Sequence, residues 1–286
     1  MLVEVLDRVP DHIEGIDVSA PIVSANEAHV GLARGAMMVS DHSDGWVLAE
    51  PDDKDSAPSI ALGAHFAIHQ EGEDALLLIL SGRGEIGSVT AFHASIEQGV
   101  KLARDGTCVR FYAGAEESGA KETGSLLVPA KTLLEALATE RPDMANLSRS
   151  AWDQRRQGGK RVFIPNTEAW TSIRSEPFEE ALHDLSSNSS KVFMNTDWRP
   201  VETLADLAIG GEIDAFDNSI SGRAVMEQSR DNLILSQSGR TITVLGCESL
   251  VIIDTDDAVL VVPKEKANDI AMLHAHLKAI GRDDLL

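Results

Sequence analysis

The hydrophobic period of this chain changes once, near residue 212, and that change limits what it can fold into. Upstream, short apolar runs alternate with helix-like stretches. Residues 20–24 read as a strand, and Ser24 with Glu27 fits a capping box for a helix reaching about Met38. Trp46, Val47, Leu48 and Ala49 form a second apolar run, and an Ala-rich helical stretch follows over residues 57–69. Asp74 opens an unbroken apolar run to Leu80 that ends in Ser81-Gly82, the pattern of a strand buried on both faces of a parallel sheet. A helix over 90–105 carries Phe92, Ile96, Val100 and Ala103 on one stripe, and residues 109–112 form another strand. Residues 131–139 are helical through Leu133, Leu134 and Leu137. Residues 141–170 show no clean period, and the polar stretch 186–190 reads as a loop. Such alternation specifies an α/β layered domain.

Downstream, residues 223–228, 233–236, 241–245, 250–254 and 258–262 read as short strands at close spacing. Gly239, Gly246 and the Asp256-Asp257 pair mark turns between them, as in a β-roll, β-helix or small barrel. Pro263 suits the first turn of a terminal helix. Its Ile270, Leu273, Leu277 and Ile280 share a face expected to pack on the strands, and Gly281 fits the C-terminal cap. Two domains are expected, residues 1–208 and 209–286.

The charge balance excludes some partners. Forty-six acidic against 25 basic residues leave a net charge of −21, which weighs against nucleic acid and anionic membranes. No Lys/Arg run marks a compact basic patch. Cys108 and Cys247 are far apart and neither belongs to a CxxC pair, so neither a disulfide framework nor a zinc knuckle is expected. No apolar run approaches the roughly 20 residues that span a bilayer. Met1-Leu2-Val3-Glu4 lacks the basic start of a secretory signal, so the expected compartment is the cytoplasm.

The segment Gly246-Cys247-Glu248-Ser249-Leu250-Val251-Ile252-Ile253-Asp254-Thr255-Asp256-Asp257-Ala258-Val259-Leu260-Val261-Val262-Pro263-Lys264 resembles the C-terminal region of mannose-1-phosphate guanylyltransferases, the GDP-mannose pyrophosphorylases. The family reads much like G-L-E-D-L-V-V-V-D-T-P-D-A-L-L-V-A-P-R there. Asp217-Asn218-Ser219 fits an earlier turn of the same region. Residues 50–62 are similar to the family's E-P-x-G-R-N-T-A-P-A-I-A-L. The run from Asp74 to Leu80, followed by Phe92, is similar to D-A-V-L-L-V-L-P-A-D-H-V-I…F. Residues 125–134 and 198–207 fall on two further family segments, G-M-F-L-F-R-A-S-T-L-L and W-S-D-V-G-S-W-D-A-L. The resemblance covers most of the chain, with gaps. It implies a trimmed Rossmann-like nucleotidyltransferase domain followed by a small β-rich domain of β-helix or β-roll type with a terminal helix.

The family joins a nucleoside triphosphate to a sugar 1-phosphate and releases pyrophosphate. Two polyanions must approach, so a divalent cation, basic groups and backbone N–H donors have to offset their charge. The resemblance implies a Gly-rich loop with a following Arg and Lys, and two aspartates for the metal. Met1 to Leu6 aligns with the helix after that loop, which leaves the loop without a counterpart. Ungapped counting from Asp74 to Phe92 puts Arg83 where the first aspartate should stand. Pro200, two residues after Trp198, occupies the place of the second. Neither side chain ligates Mg²⁺. The sugar-site segment is shortened between Tyr112 and Ser125, and G-R-N-T becomes Asp53-Lys54-Asp55-Ser56.

The expectation is therefore a non-catalytic homologue, a pseudoenzyme serving as a regulatory or assembly subunit in nucleotide-sugar or polysaccharide metabolism, with no catalytic residue, metal or cofactor. One alternative is an active nucleotidyltransferase making GDP-mannose from GTP and mannose 1-phosphate, with Mg²⁺ at an altered site. Another is a nucleotide or sugar-phosphate sensor without turnover. A sheet lacking its first strand exposes an edge, so a homo-oligomer, or a hetero-oligomer with an active family member, is expected. Ser81, Gly82, Arg83 and Gly84 are a candidate anion nest after a strand. His65 and His69 form an i, i+4 pair more in keeping with packing than with a metal. His274 and His276 face different sides of their helix, and Asp254, Asp256 and Asp257 read as turn residues.

Overall fold

The computed structural model describes residues 2–9, 12, 13, 16–82, 84–116, 119–201, 206 and 212–282, with the backbone alone at Ile16, Asn268, Ala271 and His274. The chain forms two compact units, Met1–Arg199 and Pro200–Leu286. The expected boundary at residue 208 lies outside the described residues.

The first unit begins with α1 (Leu2–Leu6), β1 (His12–Ile13), β2 (Ile16–Asp17), β3 (Ile22–Asn26) and α2 (Val30–Val39). The expected capping box does not form. Ser24 lies inside β3 and donates its hydroxyl to Glu50, while Asn26 caps the 3-10 turn ahead of α2 by accepting from the Ala28 N–H at 2.9 Å. Then come β4 (Trp46–Glu50), α3 (Ser56–Glu71), β5 (Leu76–Ile79), β6 (Gly84–Ile86), α4 (Val89–Ala103), β7 (Val109–Ala113) and β8 (Lys121–Pro129). Next are α5 (Ala130–Glu140), α6 (Pro142–Asp153), β9 (Arg156–Gly159), β10 (Val162–Ile164) and α7 (Thr167–Ser172). The unit closes with α8 (Phe178–Ala181), α9 (His183–Ser187) and β11 (Ser190–Met194), and β12 (Trp198–Pro200) runs to its end.

Two four-stranded sheets carry the architecture, in the orders β3-β4-β10-β9 and β11-β7-β8-β5. The strands β3, β4 and β10 run parallel, as do β7 and β11. The run at 76–79 departs from expectation: β5 is an end strand, pairs antiparallel with β8, and is half-buried along its length. An unbroken apolar run does not distinguish that place from a central one. The stripe on α4 behaves as read. Phe92, Ile96, Val100 and Ala103 are all buried, against Phe111, Leu127 and Val192 of the second sheet. Ser88 caps that helix from its side chain to the Ala91 N–H at 3.2 Å. On the other side Leu62, Phe66, Leu133, Leu137, Trp170 and Phe178 form the largest cluster. The aperiodic stretch 141–170 proves structured. It supplies α6 and the β9–β10 hairpin, and Phe163 of β10 stacks on Trp46 at 5.2 Å. The polar stretch 186–190, read as a loop, ends α9 and starts β11.

The second unit holds β13 (Glu212–Ile213), β14 (Ser219–Ser221), β15 (Ala224–Glu227), β16 (Leu233–Ser236), β17 (Ile242–Leu245), β18 (Leu250–Asp254), β19 (Val259–Pro263) and α10 (Ile270–Ala279). Parallel pairing of β14, β16 and β18, and separately of β15 and β17, makes successive turns of a coil. Residue 233 pairs with 251 and residue 224 with 242, so one turn spans the same length on both faces. Ile234, Val244 and Ile252 fill its centre. At one corner Gly222 has φ +100 and its α-carbon lies against the Ser236 carbonyl, so no side chain fits. The terminal helix departs from expectation, since Leu273 and Ile280 are exposed. Gly281 does take the left-handed conformation, φ 71, that ends it.

Candidate functional site

In open α/β sheets ligands bind beyond the carboxyl ends of the strands. For β3 and β4 that edge carries Asn26, Glu50 and the loop to α3. Glu50 is buried and accepts hydroxyl hydrogen bonds from Ser24 and, at 2.6 Å, from Ser59. Burial pushes its carboxyl pKa up, against the two hydroxyls, which favour the charged form. The loop behind it is held by the chain itself. Asn26 donates to Asp53 at 2.8 Å, the Trp170 indole N–H to the Asp52 carbonyl at 2.7 Å, and Lys54 to the Thr171 carbonyl at 3.3 Å. At the start of α3, Asp55 accepts from the Ser56 N–H, and the Ala57 N–H donates to the Glu176 carbonyl at 3.2 Å. The Ser56 hydroxyl in turn accepts from the Phe178 N–H at 2.9 Å. The Ser56 and Ala57 N–H donors that this helix start would offer to a phosphate are thus taken up by Asp55 and by the segment after α7.

The second place to look is the corner where β6 and β12 pair. Ser81 and Gly82 lead into it from β5, and Gly84 opens β6; Arg83 lies outside the described residues. Gly84 is buried, and a Cβ there would fall inside the indole of Trp198. Next along the ribbon, Arg199 pairs with Glu85 at 2.5 Å. Pro200 ends β12. Gly87 N–H donates to the Asp197 carbonyl at 2.9 Å, and Ser88 N–H to the Thr196 hydroxyl at 2.7 Å, so α4 starts against the same ribbon. The corner is filled by the indole and by an ion pair. A Gly84→Ala substitution is expected to cost about 1–3 kcal/mol by overpacking. Thermal melts should show that cost shrinking in a Trp198→Ala background, where the indole is gone.

The other candidates are placed as well. His65 is buried at 3.5 Å from the Ser148 hydroxyl, and His69 meets the Arg155 guanidinium and the Trp152 ring. Asp254 is buried, accepting from Ser236 at 3.0 Å and from Ser238, and pairing with Arg240. It is a structural corner residue, not the solvated turn read from sequence. His274 has no described side chain. Among the described residues, no group of three or more His, Cys, Asp or Glu is placed to hold a metal ion.

Comparison with known proteins fits this fold. A crystal structure described as mannose-1-phosphate geranyltransferase from Thermus thermophilus superposes with TM-score 0.67 at 16% identity, covering 90% of this chain and 84% of that one. Residues 222–274 match the family model of the MannoseP isomerase/GMP-like beta-helix domain. Mannose-1-phosphate guanylyltransferase of Escherichia coli is 25% identical across 99% of this chain and 68% of its own length. The chain is a homologue of the mannose-1-phosphate guanylyltransferases. Xanthan biosynthesis protein XanB of Xanthomonas campestris pv. campestris (strain B100) is likewise 25% identical, over 93% of this chain and 64% of its own. The chain thus spans about two thirds of the length of these relatives.

Two residues, one at each of these places, escaped the sequence reading. Glu85 carried no motif, and its pairing with Arg199 depends on the β6–β12 ribbon that only the fold supplies. Glu50 did carry a signal: it heads the segment similar to E-P-x-G-R-N-T, and a carboxylate ending an apolar strand is a recognisable sign of a buried charge.

Proposed function

We propose that this homologue is non-catalytic and acts as a regulatory or assembly subunit in nucleotide-sugar or polysaccharide metabolism, in the cytoplasm. The observation that carries this reading is the β6–β12 corner. Guanylyl transfer needs oxygen ligands for a divalent cation between two anionic reactants. Where the family resemblance puts one such ligand stands Pro200, and beside it the Trp198 indole is packed on the Gly84 backbone. The carboxylate within the ribbon, Glu85, is paired with Arg199. These residues do not fit Mg²⁺. The self-occupied start of α3 supports this reading as well.

The test is pyrophosphate release from GTP and mannose 1-phosphate with Mg²⁺ on the purified chain. The expected rate equals that of a preparation lacking the protein. Measurable GDP-mannose formation overturns the proposal and favours the altered-site enzyme, in which Glu85 is the residue to examine by Glu85→Gln. Calorimetric titration with GTP and GDP-mannose distinguishes the sensor alternative, which requires saturable heat without turnover. Association with itself or with an active guanylyltransferase is part of the proposal, and light scattering on the mixture reads it. No described helix is long and apolar enough to cross a membrane.

A further inference from the structure

One short segment contradicts the reading that no basic run exists. Arg155-Arg156-Gln157-Gly158-Gly159-Lys160-Arg161 holds four cations and no acidic residue, in a chain of net charge −21. The fold turns it into a hairpin. Strand β9 is exposed along its whole length, the chain reverses through Gly159 and Arg161, the latter at φ 58, and β10 returns beside it. In its sheet β9 is the end strand.

How these cations are used decides what charge is left. Arg161 donates to the Asp44 carbonyl and lies 5.3 Å from the Trp46 ring. Arg155 sits 3.8 Å above Trp152 and donates to that residue's carbonyl at 2.9 Å. Arg34 brings a fifth cation, its guanidinium 2.6 Å from the Lys160 carbonyl. A carbonyl satisfies a donor without cancelling its charge. Among the described residues only Arg156 of this group forms an ion pair, with Glu27 at 3.0 Å and both side chains exposed, while Asp153 acts on Arg155 from farther away. The hairpin therefore keeps a positive patch. At physiological ionic strength charges beyond about 8 Å are screened, so an approaching chain meets this local field and not the net charge.

We propose that the free edge of β9 docks an acidic segment of a partner protein in extended conformation. An open strand edge offers a row of main-chain donors and acceptors, and adding a strand is a common mode of peptide recognition. The flanking cations select the sign of the incoming side chains. A second copy pairing through the same edge would set cation against cation, which the charges oppose. A polyphosphate would use the cations and leave the strand edge unpaired. The inference does not depend on whether the guanylyltransferase site is silent.

The test uses the intact chain and a fluorescein-labelled octapeptide of alternating Glu and Val, with a Thr/Val peptide as control. Anisotropy should show binding of the acidic peptide only. It should weaken at least tenfold in Lys160→Glu, which breaks no contact, and further in Arg156→Glu/Lys160→Glu. Hydrogen exchange should slow at the amides of residues 156–159 on binding. Equal binding of both peptides, no binding, undiminished binding by the variants, or binding without amide protection each overturns the proposal. Tighter binding of polyphosphate reassigns the patch to phosphate, and self-association abolished by Lys160→Glu reassigns it to a second copy; either result also overturns it.

Discussion

Replacing Asn232 by alanine is expected to unfold the second unit well below the temperature at which the natural chain melts. Asn232 and Asn218 are both fully buried, stacked at one corner of the coil. The Asn232 amide nitrogen lies 2.9 Å from Asn218 Oδ1, 3.0 Å from the Arg230 carbonyl and 3.0 Å from the Cys247 carbonyl. Its oxygen accepts from the Leu250 N–H at 3.1 Å, and Asn218 Oδ1 also accepts from the Asn232 N–H at 3.0 Å. One side chain thus satisfies backbone groups of its own turn and of the turn that follows. Alanine leaves those groups buried without partners, at about 1–3 kcal/mol each. Two such losses amount to roughly 4 kcal/mol, a large part of the 5–15 kcal/mol that holds a typical domain. For a unit of this size that corresponds to a drop of roughly 15 °C or more. Calorimetry of the whole chain should show the transition of the second unit moving while that of Met1–Arg199 stays. A shift of only a few degrees would mean that the corner relaxes or admits water, and that the coil does not depend on the ladder.

What the sequence disclosed follows from what local patterns can encode. The α4 stripe was legible because a 3.6-residue period reports one buried face directly. The strands of the coil were legible because turns at Gly239 and Gly246 separate them, both left-handed as glycine allows. Pairing was not legible. Nothing in Leu76 to Ile79 says that its neighbour is β8, antiparallel and at an edge, because the distant partner sets that. Strand β10 was hidden because it is three residues long, and its burial comes from β4 and the Trp46–Phe163 stack. At the site, Arg83 and Pro200 were found by alignment, whereas the packing of Trp198 on Gly84 required the β6–β12 ribbon. The basic hairpin was present in the sequence throughout. An overall charge of −21 masks a seven-residue window of opposite sign, and only the fold shows that window exposed on an end strand.

Acid should destabilise the first unit through His65, and the effect has a defined window. His65 lies on α3 against Ser148 of α6, and burial first, then the Arg149 charge, lowers its pKa from 6.5 to about 4; Asp153 opposes them. The unfolded chain therefore takes up a proton below pH 6.5 that the folded chain refuses until about pH 4. Stability from this group is complete above pH 6.5, declines as pH falls toward 4, and does not decline further below that. A displacement of this size corresponds to roughly 3 kcal/mol across the window. Glu50 acts in the opposite sense, since its pKa is raised by burial and folding then favours its proton as the medium turns acidic. The background is removed by comparing the natural chain with His65→Gln, which keeps a polar group near Ser148 but does not titrate. Denaturant midpoints at pH 7, 6, 5 and 4 should fall more steeply for the natural chain, with the two curves diverging from about pH 6.5 downward. Parallel curves would show that the imidazole reaches water readily enough to hold its proton in the fold. His65 would then be packing without being a source of acid sensitivity.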